Sequence, residues 1–153
     1  MLAYRLVKRR YAADPLDPAG ARRYGGRWNS KGIDALYAAD SIALAILEIL
    51  VHLRDDTLLA HYLLCRLDIP DEAIMRLADD ELPSDWRQNP PPASTQRIGD
   101  QWLEQHLAVA LLVPSTVVPQ QYNLLIDPGH PDFTAIAADA ACEPFPLDPR
   151  LGC

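Results

Sequence analysis

Residues 25–52 read GGRWNSKGIDALYAADSIALAILEILVH, and this stretch predicts the centre of the fold. A short strand near residues 35–38 follows a Lys-Gly turn. Asp40 or Ser41 can then cap a helix that runs to about Arg54. Because this helix is apolar on nearly every side, we expect it to be buried in the middle of the domain.

The sequence on either side of this stretch predicts further strands and helices. Strands are predicted at 3–8, near 27–29, within 57–69, and at 108–113, 122–126 and 145–147. A short helix is predicted at 71–78 and a longer one at 95–107, with a surface loop at 82–93. This order of elements favours one mixed α+β domain over residues 1–153.

Composition narrows the class of protein. With 153 residues, of which 49% are hydrophobic, the chain can bury roughly 70% of its unfolded surface. No apolar run reaches the roughly 20 residues that span a bilayer, and no export signal is visible. The formal charge of −7 disfavours direct binding to nucleic acid, although basic residues at 8–10 and 22–27 could form a local anion site. We therefore expect a soluble, cytoplasmic protein without membrane or nucleic-acid contacts.

Three cysteines are present, at Cys65, Cys142 and Cys153. They are widely separated, odd in number, and form neither a CxxC pair nor a zinc-ligand cluster with the four histidines. We expect a reducing compartment and no metal site.

Glu48 stands out because a carboxylate within Ala-Ile-Leu-Glu-Ile-Leu-Val is costly to bury without a partner. It should be paired, or exposed in a cleft. His52 follows at the i+4 spacing that places two side chains on one helix face. The alternative interpretation is a narrow polar stripe on an amphipathic helix, and spacing alone does not decide between the two.

Two other segments carry candidate binding residues. Around Arg27, two glycines allow close approach of the backbone to a ligand, and the guanidinium matches phosphate oxygens, so a pyrophosphate would suit it. Tyr37 could stack on a flat ring. Farther along, Ser115 ends a strand and Asn123 begins the next. Each has a structural alternative: a turn with a surface arginine, a half-buried aromatic, and polar side chains that stabilise turns.

Taken together and in order, these segments resemble the RES-domain family, named for its arginine, glutamate and serine. The resemblance runs through GGRWNSKGIDALYAADSIALAILEILVH, LPSDW, TQRIGDQWL, LLVPSTVVPQQYNLLIDPGHPDF and FPLDPRL, which cover most of the chain. It places the family arginine at Arg27, the tyrosine at Tyr37, the glutamate at Glu48 and the serine at Ser115. Asn123 matches a further polar position, whereas Asp127 replaces an expected asparagine.

The resemblance implies a fold like that of ADP-ribosyltransferases and cleavage of the bond between nicotinamide and ribose in NAD⁺, by hydrolysis or phosphorolysis. Nicotinamide departs as a neutral molecule, so one carboxylate can suffice. Glu48 would stabilise the oxocarbenium-like ribose, Arg27 would hold the pyrophosphate, and Tyr37 would stack on nicotinamide. Ser115 and Asn123 would bind the substrate, with His52 at most supporting Glu48. NAD⁺ would be a substrate, because no GxGxxG fingerprint for a reusable cofactor is present.

Two other functions remain open from the sequence. A protein side chain could accept the ADP-ribose, which would make the chain an ADP-ribosyltransferase, or the chain could be a non-enzymatic module that binds a nucleotide or a partner. The resemblance also implies an antitoxin partner of the Xre type, with a helix-turn-helix domain, in a type II toxin–antitoxin pair. Two copies of the chain could pair as a homodimer within that complex.

Overall fold

The computed structural model describes residues 1–53 and 60–152, and the fold is built on a mixed sheet with helices on both faces. Within these residues the strands are β1 (Leu2–Lys8), β2 (Leu36–Ala39), β3 (Tyr62–Asp68), β4 (Ile74–Arg76), β5 (Ala110–Pro114), β6 (Tyr122–Ile126) and β7 (Ala141–Pro144). The helices are α1 (Ala19–Tyr24), α2 (Ile42–Leu50), α3 (Ala93–Gln105) and α4 (Phe133–Asp139). The α+β class predicted from the sequence is confirmed.

The sheet has the strand order β4-β5-β6-β2-β1-β3-β7. Only β4 and β5 pair in parallel among the described strands; the other pairs are antiparallel. At the centre, β1 and β2 share a single register pair, Tyr4 with Ala39. The backbone ladder between them therefore ends early, whereas β1 and β3 pair along their whole length.

Alternate residues of the strands face opposite sides of the sheet, and each side carries its own hydrophobic core. Leu36 and Leu124 pack with Phe133 and Ile136 of α4 on one face. On the other face, Leu44 and Ala45 of α2 pack in one cluster, and Trp102 and Leu103 of α3 pack in another. Because side chains alternate along a strand, Tyr37 and Asn123 lie on the face that carries α2 and α3.

Helix α2 is less buried than its apolar sequence predicts. Ser41 caps it as expected, accepting a hydrogen bond from the Leu44 amide at 3.1 Å. The helix ends at Leu50, and its buried residues are Leu44 and Ala45. Leu47 is 39% exposed, so the expectation of a helix buried on nearly every side is wrong. One face packs on the sheet, and Glu48 and Ile49 line a cavity.

Several other elements differ from the predictions because pairing with distant strands overrides local pattern. The predicted strand at 27–29 is an isolated bridge between Gly26 and Asn29. The predicted helix at 71–78 is a 3₁₀ turn, Asp71–Ala73, followed by β4, which pairs with β5. The last strand lies at Ala141–Pro144, not at 145–147, and α4 has no counterpart in the prediction. The helix predicted to run to about Arg54 ends earlier, at Leu50; Arg54 itself and the predicted strand start at Thr57 lie outside the described residues.

The cysteines also differ from expectation. Cys65 and Cys142 lie opposite each other on β3 and β7, and the structure joins them in a disulfide. The sequence separation of 77 residues hides this pairing from any local motif. In the described part of the chain, no helix has the length and apolar character needed to cross a membrane.

Candidate active site

Glu48 lies half-buried on α2, and two side chains hold its carboxylate. The Ser115 hydroxyl donates to Glu48 Oε1 at 2.6 Å, and the Asn123 amide donates to the same oxygen at 2.7 Å. Hydrogen bonds to an ionised carboxylate are among the stronger ones in proteins. The residues that the sequence separates by 67 and 75 positions thus meet at one oxygen atom. Oε2 has no hydrogen-bond partner among the described residues and is available to a ligand.

Ser115 is fully buried at the end of β5. Its hydroxyl oxygen accepts hydrogen bonds from the amides of Val117 and Val118, both at 3.0 Å, while its proton goes to Glu48. The Ser115 hydroxyl therefore both stabilises the turn and holds Glu48, so the two interpretations of this residue are compatible. Direct contact of Ser115 with a substrate stays a prediction, because in this structure the hydroxyl proton is directed to Glu48.

Asn123 differs from Ser115 in its exposure to the cleft. It lies on β6 opposite Ala39 of β2, and its side chain lines the cavity that also contains Glu48. Asp127, at the other end of the same strand, accepts a hydrogen bond from the Gly129 amide at 2.8 Å and pairs with His106 at 2.6 Å. The turn expected there is present, and it lies away from Glu48.

Arg27 extends from the loop between α1 and β2 into the cleft. Its Nη1 donates to the carbonyl oxygens of Trp86 at 3.0 Å and Gln88 at 2.7 Å. Burial lowers the pKa of Arg27, and the negative charge of Glu48 opposes that shift. Within the described chain, Nε and Nη2 have no hydrogen-bond partner, so this edge of the guanidinium can bind an anion.

Tyr37 shapes the loop that carries Arg27. Its hydroxyl donates to Asn29 Oδ1 at 2.6 Å and accepts from the Trp28 amide at 3.1 Å. Burial raises the pKa of the phenol. A side-chain carbon on Gly26 would lie 2.7 Å from this hydroxyl, so the close approach expected between the glycine and a ligand is made here by Tyr37. The ring still lines the cavity, and stacking on nicotinamide stays a prediction.

His52 lies in the turn after α2 and is exposed. The helix ends at Leu50, so the i+4 relation to Glu48 on one continuous helix does not hold. His52 lines the cavity, but the hydrogen bonds of Glu48 among the described residues go to Ser115 and Asn123. No hydrogen bond joins His52 to Glu48 among the described residues, so a supporting role for His52 stays a prediction.

Arg5 is a site residue that the sequence reasoning missed. Its Nη1 donates to the Tyr37 carbonyl at 3.0 Å, beyond the point where the ladder between β1 and β2 ends. Burial lowers its pKa to about 10, so it remains a cation at neutral pH. The only signal in the sequence is one charge in an alternating strand, and that pattern is typical of solvent-exposed positions.

These residues border one cavity of about 1350 Å³. The cationic side chains in its described wall are Arg5, Arg27 and Arg87, and the single carboxylate is Glu48. A chain of net charge −7 thus has a cleft with an excess of guanidinium groups, which favours an anionic ligand. The described residues contain no group of three or more side chains that could hold a metal ion.

The sequence is similar to a known family and to proteins named as toxins. The RES domain family matches residues 2–148. The chain is 45% identical over 151 residues to Toxin Res of Yersinia enterocolitica, covering 99% of each protein. It is 40% identical to the Prs ADP-ribosylating toxin of a Sphingobium species, covering 94% of this chain and 90% of that protein.

Among solved structures, a chain of the M. tuberculosis MbcT-MbcA toxin-antitoxin complex has a similar fold. The TM-score is 0.73 at 23% identity, with coverage of 98% of this chain and 85% of that one. The chain therefore shares its fold with that structure.

Proposed function

Because this chain belongs to the RES-domain family of toxins, we propose that it cleaves the bond between nicotinamide and ribose in NAD⁺. The observation that carries the proposal is the Glu48 carboxylate, fixed at Oε1 by Ser115 and Asn123 and facing a cavity with three guanidinium groups. NAD⁺ has the matching charges: a cationic pyridinium ring at one end and two phosphates in the middle. It is the substrate in this proposal, and no cofactor is required.

The reaction breaks the bond between C1′ of the ribose and the ring nitrogen of nicotinamide. The bonding electron pair goes to that nitrogen, so nicotinamide leaves as a neutral molecule and no acid has to protonate it. Positive charge develops on the ribose, and the carboxylate of Glu48 stabilises it. Water then adds to C1′ and releases a proton to the solvent, which gives ADP-ribose; alternatively, a phosphate oxygen adds to C1′, which gives ADP-ribose phosphorylated at that carbon.

The positions of the donors to Glu48 support this role. A carboxylate that must stabilise a transition state benefits from fixed orientation before the substrate arrives. Two short hydrogen bonds from separate strands provide that orientation and leave Oε2 for the ribose. Arg27, through its Nε and Nη2 edge, would bind a phosphate, and Tyr37 would position the loop that carries Arg27.

The direct test follows nicotinamide release from NAD⁺ by chromatography, with and without inorganic phosphate. The variant Glu48→Gln keeps the side-chain shape and removes the charge, and we expect a loss of at least about 100-fold. Glu104→Gln is the matched control, because Glu104 is exposed on α3. Dependence on phosphate distinguishes phosphorolysis from hydrolysis. Equal release by wild type and Glu48→Gln would refute the role of Glu48.

Transfer of ADP-ribose to a protein is the second candidate, and the 40% identity to the Prs ADP-ribosylating toxin favours it. The same bond breaks, but a protein side chain attacks C1′. Incubation with labelled NAD⁺ and a cell lysate would show a labelled protein band. A labelled band without free ADP-ribose would show that the chain transfers ADP-ribose to a protein and does not hydrolyse NAD⁺. The absence of both products would favour a non-enzymatic binding role.

A toxin of this kind needs an inhibitor, and we propose an antitoxin of the Xre type in a type II pair. The relative of similar fold comes from a toxin–antitoxin complex. Val51 lines the cavity and is 56% exposed, and Leu47, next to Glu48 in the chain, is 39% exposed. These two side chains give α2 and the turn after it an apolar surface that a partner can cover. Inhibition by an antitoxin of the Xre type, and the loss of that inhibition in Leu47→Asp, would support occlusion of the cleft. Sedimentation of that complex would also test the proposed homodimer.

A further inference from the structure

We propose that Arg87 is a second phosphate-binding side chain of the cleft, carried there by a strap formed by residues 83–92. The inference rests on the proposed function for the identity of its ligand, the ADP-ribose part of the substrate. Arg87 matches none of the residues that the sequence resemblance singles out. The structure alone brings it to the cavity that contains Glu48.

The strap is held on both sides of Arg87. Arg27 Nη1 donates to the carbonyl oxygens of Trp86 and Gln88, the residues immediately before and after it. From the first turn of α3, the Ser94 hydroxyl donates to Asp85 Oδ1 at 2.5 Å. Arg27 therefore fixes the backbone from which the Arg87 side chain extends.

The Arg87 side chain reaches the other wall of the cleft. Its Nη2 donates to the Thr116 carbonyl at 3.1 Å, and Thr116 follows Ser115, which holds Glu48. A guanidinium has five N–H donors, and in the described residues only this one bond is made. Arg87 has no carboxylate partner in that part of the chain, although the protein has 21 acidic residues. The guanidinium also lies over the Trp86 ring, 5.8 Å from its centroid, and its remaining N–H donors are available to a ligand.

A pyrophosphate has two phosphate groups, and Arg27 alone has too few free N–H donors to bind both. With Nη1 committed to the strap, Arg27 keeps one fork, Nε and Nη2, and such a fork matches the two oxygens of one phosphate. Arg5 is half-buried, and it donates to the carbonyls of Tyr37 and Pro15. Arg87 is the remaining guanidinium in the cavity wall, and it supplies donors for the second phosphate.

The test measures binding of ADP-ribose by calorimetry to the wild-type chain, Arg87→Gln and Arg97→Gln. Arg97 is an exposed arginine on α3 that does not line the cavity, so it controls for net charge. We expect Arg87→Gln to weaken binding by about 10-fold or more and Arg97→Gln to leave it unchanged. Arg87→Lys, which keeps the charge but not the fork, should restore part of the affinity. Because Arg87 is exposed, unchanged thermal unfolding should accompany these effects.

Nicotinamide release is measured in parallel, so that the inference and the proposed function can fail separately. Arg87→Gln should raise KM for NAD⁺ and leave kcat nearly unchanged. Binding that depends on Arg87 without any nicotinamide release would support the site and refute the cleavage. Cleavage with the same KM and the same ADP-ribose affinity in Arg87→Gln would overturn the inference, as would a wild-type chain that does not bind ADP-ribose.

Discussion

Removal of the Ser115 hydroxyl should destabilise the protein more than removal of the Asn123 amide, although both donate to the same oxygen of Glu48. In Ser115→Ala, a fully buried site loses the bond to the carboxylate and leaves two backbone amides without their acceptor. Such a loss costs about 3 kcal/mol. Asn123 lines the cavity, so water can replace its amide, and Asn123→Ala should cost about 1 kcal/mol.

Urea unfolding of both variants gives the two free energies. A double-mutant cycle with Glu48→Gln then isolates the contact, and we expect a coupling energy of about 1.5 kcal/mol for the Ser115 pair. Ser30→Ala is the matched control, because its hydroxyl donates to Asp100 Oδ2 at the same distance of 2.6 Å, on another carboxylate. Two results would refute this account of how Glu48 is held. One is a coupling energy between Ser115 and Glu48 that is no larger than the coupling energy between Ser30 and Glu48. The other is an equal loss of unfolding free energy in Ser115→Ala and Asn123→Ala.

Three further predictions concern the framework around the site. Gly99→Ala should lower the free energy of unfolding by more than about 2 kcal/mol, as overpacked cores do, because the added methyl group would overlap the Trp28 carbonyl. A soluble, fully active variant that unfolds at the wild-type temperature would contradict this packing. Tyr37→Phe should cost about 2 kcal/mol and weaken nucleotide binding, since the hydroxyl fixes the loop that carries the cleft arginine. Tyr11→Phe is the control, because Tyr11 is 50% exposed and does not line the cavity. Cys142→Ser should lower the free energy of unfolding of the oxidised protein by up to about 4.5 kcal/mol, the loop entropy of a 77-residue separation, and it should make unfolding insensitive to reductant.

Local pattern was sufficient for much of the framework. The cap at Ser41, the start of α2 and the bounds of β6 follow from side-chain type and spacing within a few residues. The sequence also drew attention to Glu48 as a costly carboxylate in an apolar segment. Each of these inferences depends on neighbours within one helical turn or one strand, which a linear sequence displays directly.

Tertiary structure decided which distant residues meet. The sequence could not show that Glu48 Oε1 receives two donors, or that Cys142 lies opposite Cys65, because strand register brings these positions together. It also gave no reason to select Arg5 or Arg87, whose importance depends on the early end of one ladder and the path of one strap. The physical cause is the same throughout: backbone hydrogen bonding and burial are satisfied by whichever strands pair across the sheet, and that pairing is a property of the whole chain.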